Sequence, residues 1–177
     1  MGKMEPIKTS FGMIRYWQDG DAKALAKYAN NRKIWANMRD GFHSPYREEH
    51  ARAFLDVVSR QNPVTFFAIA TADEAIGGIG LTLGQDVHRL TAELGYWLGE
   101  PFWGKGIMSE AVMCFTDFAV KTFDLIRIFA EPYATNQSSC RILEKAGFVL
   151  EGRLKSSVIK EGQILDQLMY AKVKLGM

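Results

Sequence analysis

The sequence predicts a mixed α+β fold: a twisted, largely antiparallel sheet with helices on both faces and one parallel β-α-β crossover. Three observations lead there. Apolar residues switch between helical and strand periods in the order β, helices, βββ, α, β, α, ββ. The apolar run Ala92-Glu93-Leu94-Gly95-Tyr96-Trp97-Leu98 precedes a glycine turn and a long helix-like run, so the next strand must lie parallel to it. The chain closes on two apolar segments around a polar, glycine-containing turn, which reads as a hairpin.

Taken in order, Met13-Ile14-Arg15-Tyr16-Trp17 is a strand. Residues 19–28 form a helix with Asp19 or Asp21 as N-cap and Ala24, Leu25 and Tyr28 on one face. Residues 32–38 add a short helix. Residues 46–60 carry Ala51, Phe54, Leu55 and Val58 at helical spacing, and Pro63 ends that helix. The period then changes. Residues 65–70 and 75–83 are strands about an Asp73-Glu74 turn, residues 85–89 are a polar loop, and residues 90–98 are a third strand. Gly77, Gly78 and Gly80 read as a flexible strand or a bulge. Helix 104–120 aligns Ile107, Ala111, Phe115 and Ala119. Strand 125–130 turns through Pro132, and helix 138–145 is closed by Gly147 as a C′ glycine. Residues 148–159 pair with 164–173 around Lys160-Glu161-Gly162-Gln163. No repeat or linker interrupts the 177 residues, so one domain over 1–177 is expected.

Composition narrows the function. Hydrophobic residues make up 47% of the chain, as in a globular domain rather than a disordered one. The formal charge of +2, with scattered basic residues, points to no nucleic-acid partner. No apolar stretch is long enough to cross a bilayer and the N-terminus shows no secretory core, so a cytoplasmic place without a membrane partner is expected. Cys114 and Cys140 fall in helix-like segments and read as small buried hydrophobes, not a disulfide. No C-x-x-C or H-x-x-x-H spacing supports zinc or another metal. His43, His50 and His88 form no close cluster in sequence and read as surface or hydrogen-bonded histidines.

The stretch Phe102-Trp103-Gly104-Lys105-Gly106-Ile107-Met108 carries the main functional signal. Strand, glycine turn and helix start together expose main-chain N–H groups that suit a phosphate or pyrophosphate. The same glycine pair also reads as a plain tight turn. Neither the P-loop pattern nor a G-x-G-x-x-G fingerprint is present, since Ser109 stands where a third glycine would be.

With these features the chain resembles the GNAT acyl-CoA N-acyltransferases, and within them the RimJ/RimL-like branch of N-terminal acetyltransferases. Three runs carry the resemblance: Glu93 to Leu98, Phe102 to Gly106, and Asn136-Gln137-Ser138-Ser139-Cys140-Arg141-Ile142-Leu143-Glu144-Lys145-Ala146-Gly147-Phe148. Glu151-Gly152-Arg153 and Gly162 with Asp166 match the branch's C-terminal hairpin. The resemblance implies that the anion is the pyrophosphate of acetyl-CoA, held by N–H groups of the Q/R-x-x-G-x-G/A turn at residues 101–106. The chain departs from that pattern at Pro101, which removes one side-chain contact but not the main-chain cradle. Lys105 either adds charge near the phosphates or is a solvated loop lysine. The family also implies a splay between the strand ending at Leu98 and the strand ending near Glu131, where the pantetheine arm pairs like an inserted strand. Asn136 matches the residue that contacts this arm, and also reads as an N-cap.

The chemistry needs a neutral amine, an oxyanion donor and an acid for the departing thiolate. The resemblance points to a main-chain N–H near Trp97 or Leu98 as oxyanion donor. The tyrosine acid of many GNAT enzymes is replaced here by Leu143, so Ser139 becomes the candidate acid, against a reading as a plain first-turn serine. Glu93 is the candidate base, directly or through water, because partial removal from water suits a carboxylate to base catalysis; the alternative is a strand-end glutamate facing solvent. Tyr133 is a second acid candidate that more readily packs. The expected activity is acetyl transfer from acetyl-CoA to an amine, such as a ribosomal protein N-terminus. A small amine (polyamine, amino sugar or antibiotic) and a non-catalytic acyl-CoA-binding module are the alternatives. Residues 30–46 and 85–89 would set the acceptor, with Trp35, Phe42 and Tyr46 either walling a groove or filling the core. The basic Arg32, Lys33 and Arg39 lean towards a peptide or acidic acceptor. A monomer and a homodimer are both compatible with the sequence.

Overall fold

In the computed structural model, residues 5–174 are described. Its strands are β1 (Ile7–Thr9), β2 (Gly12–Tyr16), β3 (Phe66–Ala70), β4 (Ala75–Leu83), β5 (Thr91–Leu98), β6 (Arg127–Ala130), β7 (Val149–Lys160) and β8 (Gln163–Val173). Its helices are α1 (Ala22–Ala29), α2 (Arg32–Trp35), α3 (Glu48–Ser59), α4 (Ile107–Thr122) and α5 (Gln137–Lys145). Hydrogen bonding orders the strands β1-β2-β3-β4-β5-β6-β8-β7. The pair β5 and β6 is parallel, as the crossover through α4 requires. The mixed, largely antiparallel fold expected from the periodicity is therefore observed. β1, a three-residue strand paired with β2, was not legible because it is too short to show a period. Two compact units are distinguishable. One runs up to Gly80 and includes Tyr96–Ala111; the other comprises Leu81–Gly95 and continues from Val112.

In the first unit, α1 and α3 form because apolar residues recur at helical spacing. Ala22, Leu25 and Ala29 of α1 meet Ala51 and Leu55 of α3, with Tyr46 completing the cluster. Full burial of each leucine contributes about 1.5–3 kcal/mol. Asp21 stands at the N-cap position of α1, as expected, but its side chain makes no cap hydrogen bond to that helix. Asp21 instead accepts two hydrogen bonds from the Arg15 guanidinium, at 2.7 and 2.9 Å, and one from the Gln18 N–H at 2.9 Å. A bidentate guanidinium outcompetes a single helix N–H for a carboxylate; a 3-10 turn, Asp19–Asp21, precedes α1. The side chain of Asn31 caps α2, accepting from the N–H groups of Lys33 and Ile34.

In the second unit, α5 is fixed at both ends. The Asn136 side chain accepts from the Ser139 N–H at 3.1 Å. At the other end Gly147 has φ of +84°, the Gly147 N–H donates to Glu144 O, and the Phe148 N–H donates to Leu143 O. These two bonds are the Schellman pattern that a C′ glycine permits. β7 and β8 are joined by Glu161 and Gly162, with φ of +51° and +75°, a primed hairpin turn. Opposite Asp166 the ladder skips from Leu154↔Gln167 to Val158↔Leu165. Asp166 holds this bulge, accepting from the Ser156 N–H at 2.8 Å and from Arg153 Nε at 2.6 Å. Both donors hold its carboxyl below the usual range, the Ser156 N–H foremost. Arg127 and Glu151 form a bidentate ion pair across β6 and β7.

Candidate active site

In the first unit the site begins where β5 ends. Gly77 and Gly78 are neither flexible nor spare. A Cβ on Gly77 would lie 2.5 Å from Trp97 O, and one on Gly78 would lie 2.8 Å from Trp97 Nε1 and 3.2 Å from Trp17 Cζ2. Glycine is needed there because the Trp97 main chain and two indoles approach too closely for any side chain. The bulge expected in this segment is present beside them: Ile69 pairs with Gly77 and Ala70 with Ala75, leaving Ile76 as the extra residue. Ile76 O then accepts the Gly99 N–H at 2.8 Å, which fixes the exit of β5.

Beyond Leu98 the chain enters a 3-10 turn, Glu100–Phe102, with Pro101 near its start. Proline is pre-organised for that position, which accounts for its presence where the family pattern has Gln or Arg. Trp103 closes the turn twice: its main-chain N–H donates to Glu100 O at 3.1 Å and its indole N–H to Leu98 O at 2.6 Å. Trp103 therefore holds the turn's shape with its polar atom while the residue stays 42% exposed. Gly104 and Gly106 have φ of +74° and +79° around Lys105. Left-handed residues alternating with right-handed ones are the backbone pattern from which anion-binding concavities are generally built. The Glu110 N–H donates to Gly106 O, the first turn of α4. Helix geometry then leaves the N–H groups of Ile107, Met108 and Ser109 without carbonyl partners inside the helix. Residues 103–106 are exposed, whereas Met108 is buried. Lys105 Nζ lies 5.6 Å from the centre of the Phe102 ring.

Sequence reasoning missed what braces this turn. Glu100 accepts from Asn31 Nδ2 at 2.6 Å and pairs with Lys33 Nζ. These donors, Lys33 first, hold the Glu100 carboxyl below its usual range. Phe102 stands edge-on to Tyr28, with ring centroids 5.3 Å apart. An open cleft of about 400 Å³ is lined by Lys27, Tyr28, Asn30, Asn31, Glu100 and Pro101. Lys33, read as a basic residue facing an acceptor, is thus committed to Glu100. Arg32 lies 4.2 Å over the Trp35 ring. His43 and His50, which form no close cluster in sequence, stack with ring centroids 4.0 Å apart, and His50 Nδ1 accepts the Arg47 N–H. Tyr46 is buried, which pushes its hydroxyl up to about 12; it belongs to the core. Phe42 packs edge-on against Trp97 at 6.0 Å.

In the second unit, Glu93 sits half-buried on β5 between buried Ala92 and Leu94. Its partner across the parallel ladder is Phe129. That pairing covers Thr91–Glu93 against Arg127–Phe129, while β5 runs on to Leu98. Asn136 is the α5 cap through Oδ1, and Ser139 is half-buried in the first turn of the same helix. Leu143 is fully buried core, and Tyr133 is buried in a bridge to Gln167. Cys140 is buried, with its thiol pushed up chiefly by desolvation; Cys114 is half-buried, and both are free thiols. Among the described residues no group of three or more His, Cys, Asp or Glu is placed to hold a metal ion.

A positive-φ glycine turn between strand and helix, a parallel crossover and a capped Asn136 helix form the frame into which comparison with known proteins fits. The family profile described as the acetyltransferase (GNAT) domain matches residues 13–149. The chain belongs to the GNAT acetyltransferase family. The GNAT match spans the glycine turn, Glu93, Asn136 and Ser139. The [ribosomal protein uS5]-alanine N-acetyltransferase of Escherichia coli (strain K12) is 30% identical over 167 residues, covering 90% of this chain and 86% of that protein. The uncharacterized N-acetyltransferase p20 of Bacillus licheniformis is 29% identical over 177 residues, with 97% of each chain covered. Among solved structures, the RimL ribosomal L7/L12 α-N-protein acetyltransferase in complex with coenzyme A superposes with a TM-score of 0.84 at 22% identity, covering 96% of this chain and 98% of that one. At that identity the likeness is one of fold. This GNAT protein is an N-acetyltransferase of the RimJ/RimL-like branch. No helix among the described residues is long and apolar enough to cross a membrane.

Proposed function

We propose that this GNAT enzyme transfers acetyl from acetyl-CoA directly to a protein N-terminal α-amine, with a ribosomal protein as the leading class of acceptor. The observation that supports the first half is the pair of left-handed glycines before α4, a backbone geometry that suits a pyrophosphate. The acceptor half is supported by the relative whose name specifies ribosomal protein uS5-alanine as its substrate.

In this reading the N–H groups of residues 103–108 hold the pyrophosphate, and Lys105 adds charge. Asn136 uses its amide to hold the pantetheine arm while Oδ1 caps α5. The Trp97 and Leu98 segment supplies an N–H to the carbonyl oxygen. The amine nitrogen attacks the thioester carbon, the C–S bond breaks with its electron pair on sulfur, and the nitrogen loses a proton to Glu93 or to water held by it. Ser139 donates a proton to the thiolate and is reprotonated from solvent. The transfer of one acetyl group and one proton balances without a metal or an oxidant.

The test is thiol release from acetyl-CoA with a panel of acceptors: peptides with N-terminal alanine or serine, polyamines and aminoglycosides. Turnover on the peptides, with mass added at the α-amine, is expected. Turnover on polyamines or aminoglycosides alone would replace the acceptor and keep the chemistry. Acetyl-CoA binding with no acceptor acetylated would favour a binding module.

A further inference from the structure

The indole N–H of Trp17 is buried and has no hydrogen-bond partner. Such a donor costs about 1–3 kcal/mol relative to a paired one and is rare in folded chains. Nothing about tryptophan in this fold demands it, since Trp103 gives its indole N–H to Leu98 O. Trp17 follows β2 and stands edge-on to Phe54 of α3, with ring centroids 5.7 Å apart at 90°. Its ring and that of Trp97 converge on Gly78. Trp17, Phe42, Phe54 and Trp97 pack against one cluster that includes Tyr46 and Leu55. Trp17 thus belongs to the same aromatic wall as Trp97, within one compact unit. Ring faces are poor acceptors for an N–H.

We propose that Trp17 Nε1–H recognises the first peptide carbonyl of the acceptor, so that Trp17 is the residue that separates a protein N-terminus from a simple amine. The inference rests on the N-terminal acceptor proposed above and deepens it. A peptide N-terminus presents a carbonyl oxygen three bonds from the reacting nitrogen. A polyamine has none. A site with an unpaired buried donor beside the reacting strand binds the first class and gains nothing from the second, which is how polar pockets reject analogues lacking a group. Phe42 lies between α2 and α3, flanked by the exposed Gly41 and His43. Because Trp17 Nε1 is buried, a carbonyl reaches it only if part of this wall shifts, and in the proposal that part is the Phe42 ring.

The experiment compares a short peptide amide with its analogue in which the first carbonyl is reduced to methylene. Wild type is set against Trp17→Phe and against a chain with benzothienylalanine at position 17, which keeps the indole's shape and replaces N–H by sulfur. The kcat/KM for the peptide should fall about 3- to 10-fold in both variants, the size of one net hydrogen bond. For the reduced analogue it should stay at the wild-type value, and the acetyl-CoA Kd should not change. The benzothienyl chain should melt no lower than wild type, because an unsatisfied donor has been removed. An equal change for both acceptors, or none for either, overturns the role of Trp17 while leaving the N-terminal acceptor intact. A wild-type enzyme that ignores the peptide but acetylates the reduced amine overturns the N-terminal reading and this inference with it.

Discussion

Replacing Gly106 by valine tests the proposed phosphate cradle most directly. Gly106 has φ of +79°, and a Cβ built on it meets nothing within 4 Å. The folded chain therefore has room for the side chain, and the cost is that of the backbone. A residue with a Cβ in the left-handed region costs about 1–2 kcal/mol, and a β-branched one lies at the upper end. For a chain of this size each kcal/mol moves Tm by about 2–4 °C. A fall of about 4–8 °C leaves the protein folded for binding measurements. Relieving the strain by rotating φ to negative values swings an N–H out of the concave array. One charge-assisted hydrogen bond contributes about 1.5–3 kcal/mol, so acetyl-CoA affinity should fall about 10- to 150-fold. Calorimetry with acetyl-CoA reads this, and Gly106→Ala, with the same φ conflict and less bulk, should lie between. Wild-type affinity in a valine variant whose Tm has dropped as expected would refute the placement, because strain would then be present without loss of the anion.

Four further outcomes are expected. Ser139→Ala should lower kcat by about 10²–10⁴-fold with acetyl-CoA affinity retained, the range for a general acid; an unchanged kcat makes the serine structural. Glu93→Gln should lower kcat/KM at neutral pH and recover partly as pH rises through about 8, where solvent supplies the neutral α-amine; an equal loss from about pH 7 to 9.5 makes Glu93 a positioning residue. Asn136→Asp keeps the cap oxygen and should hold Tm while weakening acetyl-CoA binding, whereas Asn136→Ala should also lose about 1 kcal/mol of stability; wild-type affinity in both leaves only the cap. The last concerns Glu74, whose carboxyl is held below the usual range first by the Tyr28 hydroxyl, 2.5 Å away, and then by Lys27. A depressed folded value stabilises above the unfolded carboxylate value of about 4.3 and is lost as pH falls through the folded one. Wild type should therefore melt above Glu74→Gln by at most about 2–4 °C at pH 7, with the gap closing below about pH 4; a gap that persists in acid would assign it to packing.

Much of the fold was legible because its signals are local. The ends of α5 follow from Asn136 and Gly147, each acting within its own turn. The parallel pairing of β5 with β6 follows from chain direction alone. The glycine turn was legible for the same reason: the positive φ at Gly104 and Gly106 is open to glycine through its own lack of a Cβ. All of these local signals lie within residues 13–149, which the family profile matches.

Only the tertiary structure decided which side chains of different elements meet. Asp21 reads as a cap until Arg15, on the neighbouring strand, takes its carboxylate. Gly77 and Gly78 read as slack until Trp17 and Trp97 close over them. Lys33 reads as a free cation until Glu100, far along the chain, binds it. His43 and His50 read as unrelated until the turn into α3 stacks them. Local residues fix backbone dihedrals through their own sterics. The partner of a charge, or the ring above a glycine, depends on packing that no single segment encodes. The sequence by itself thus determined the strand-turn-helix device and the family of this protein. The tertiary structure decided how the turn is braced, and it left one buried indole N–H without a partner.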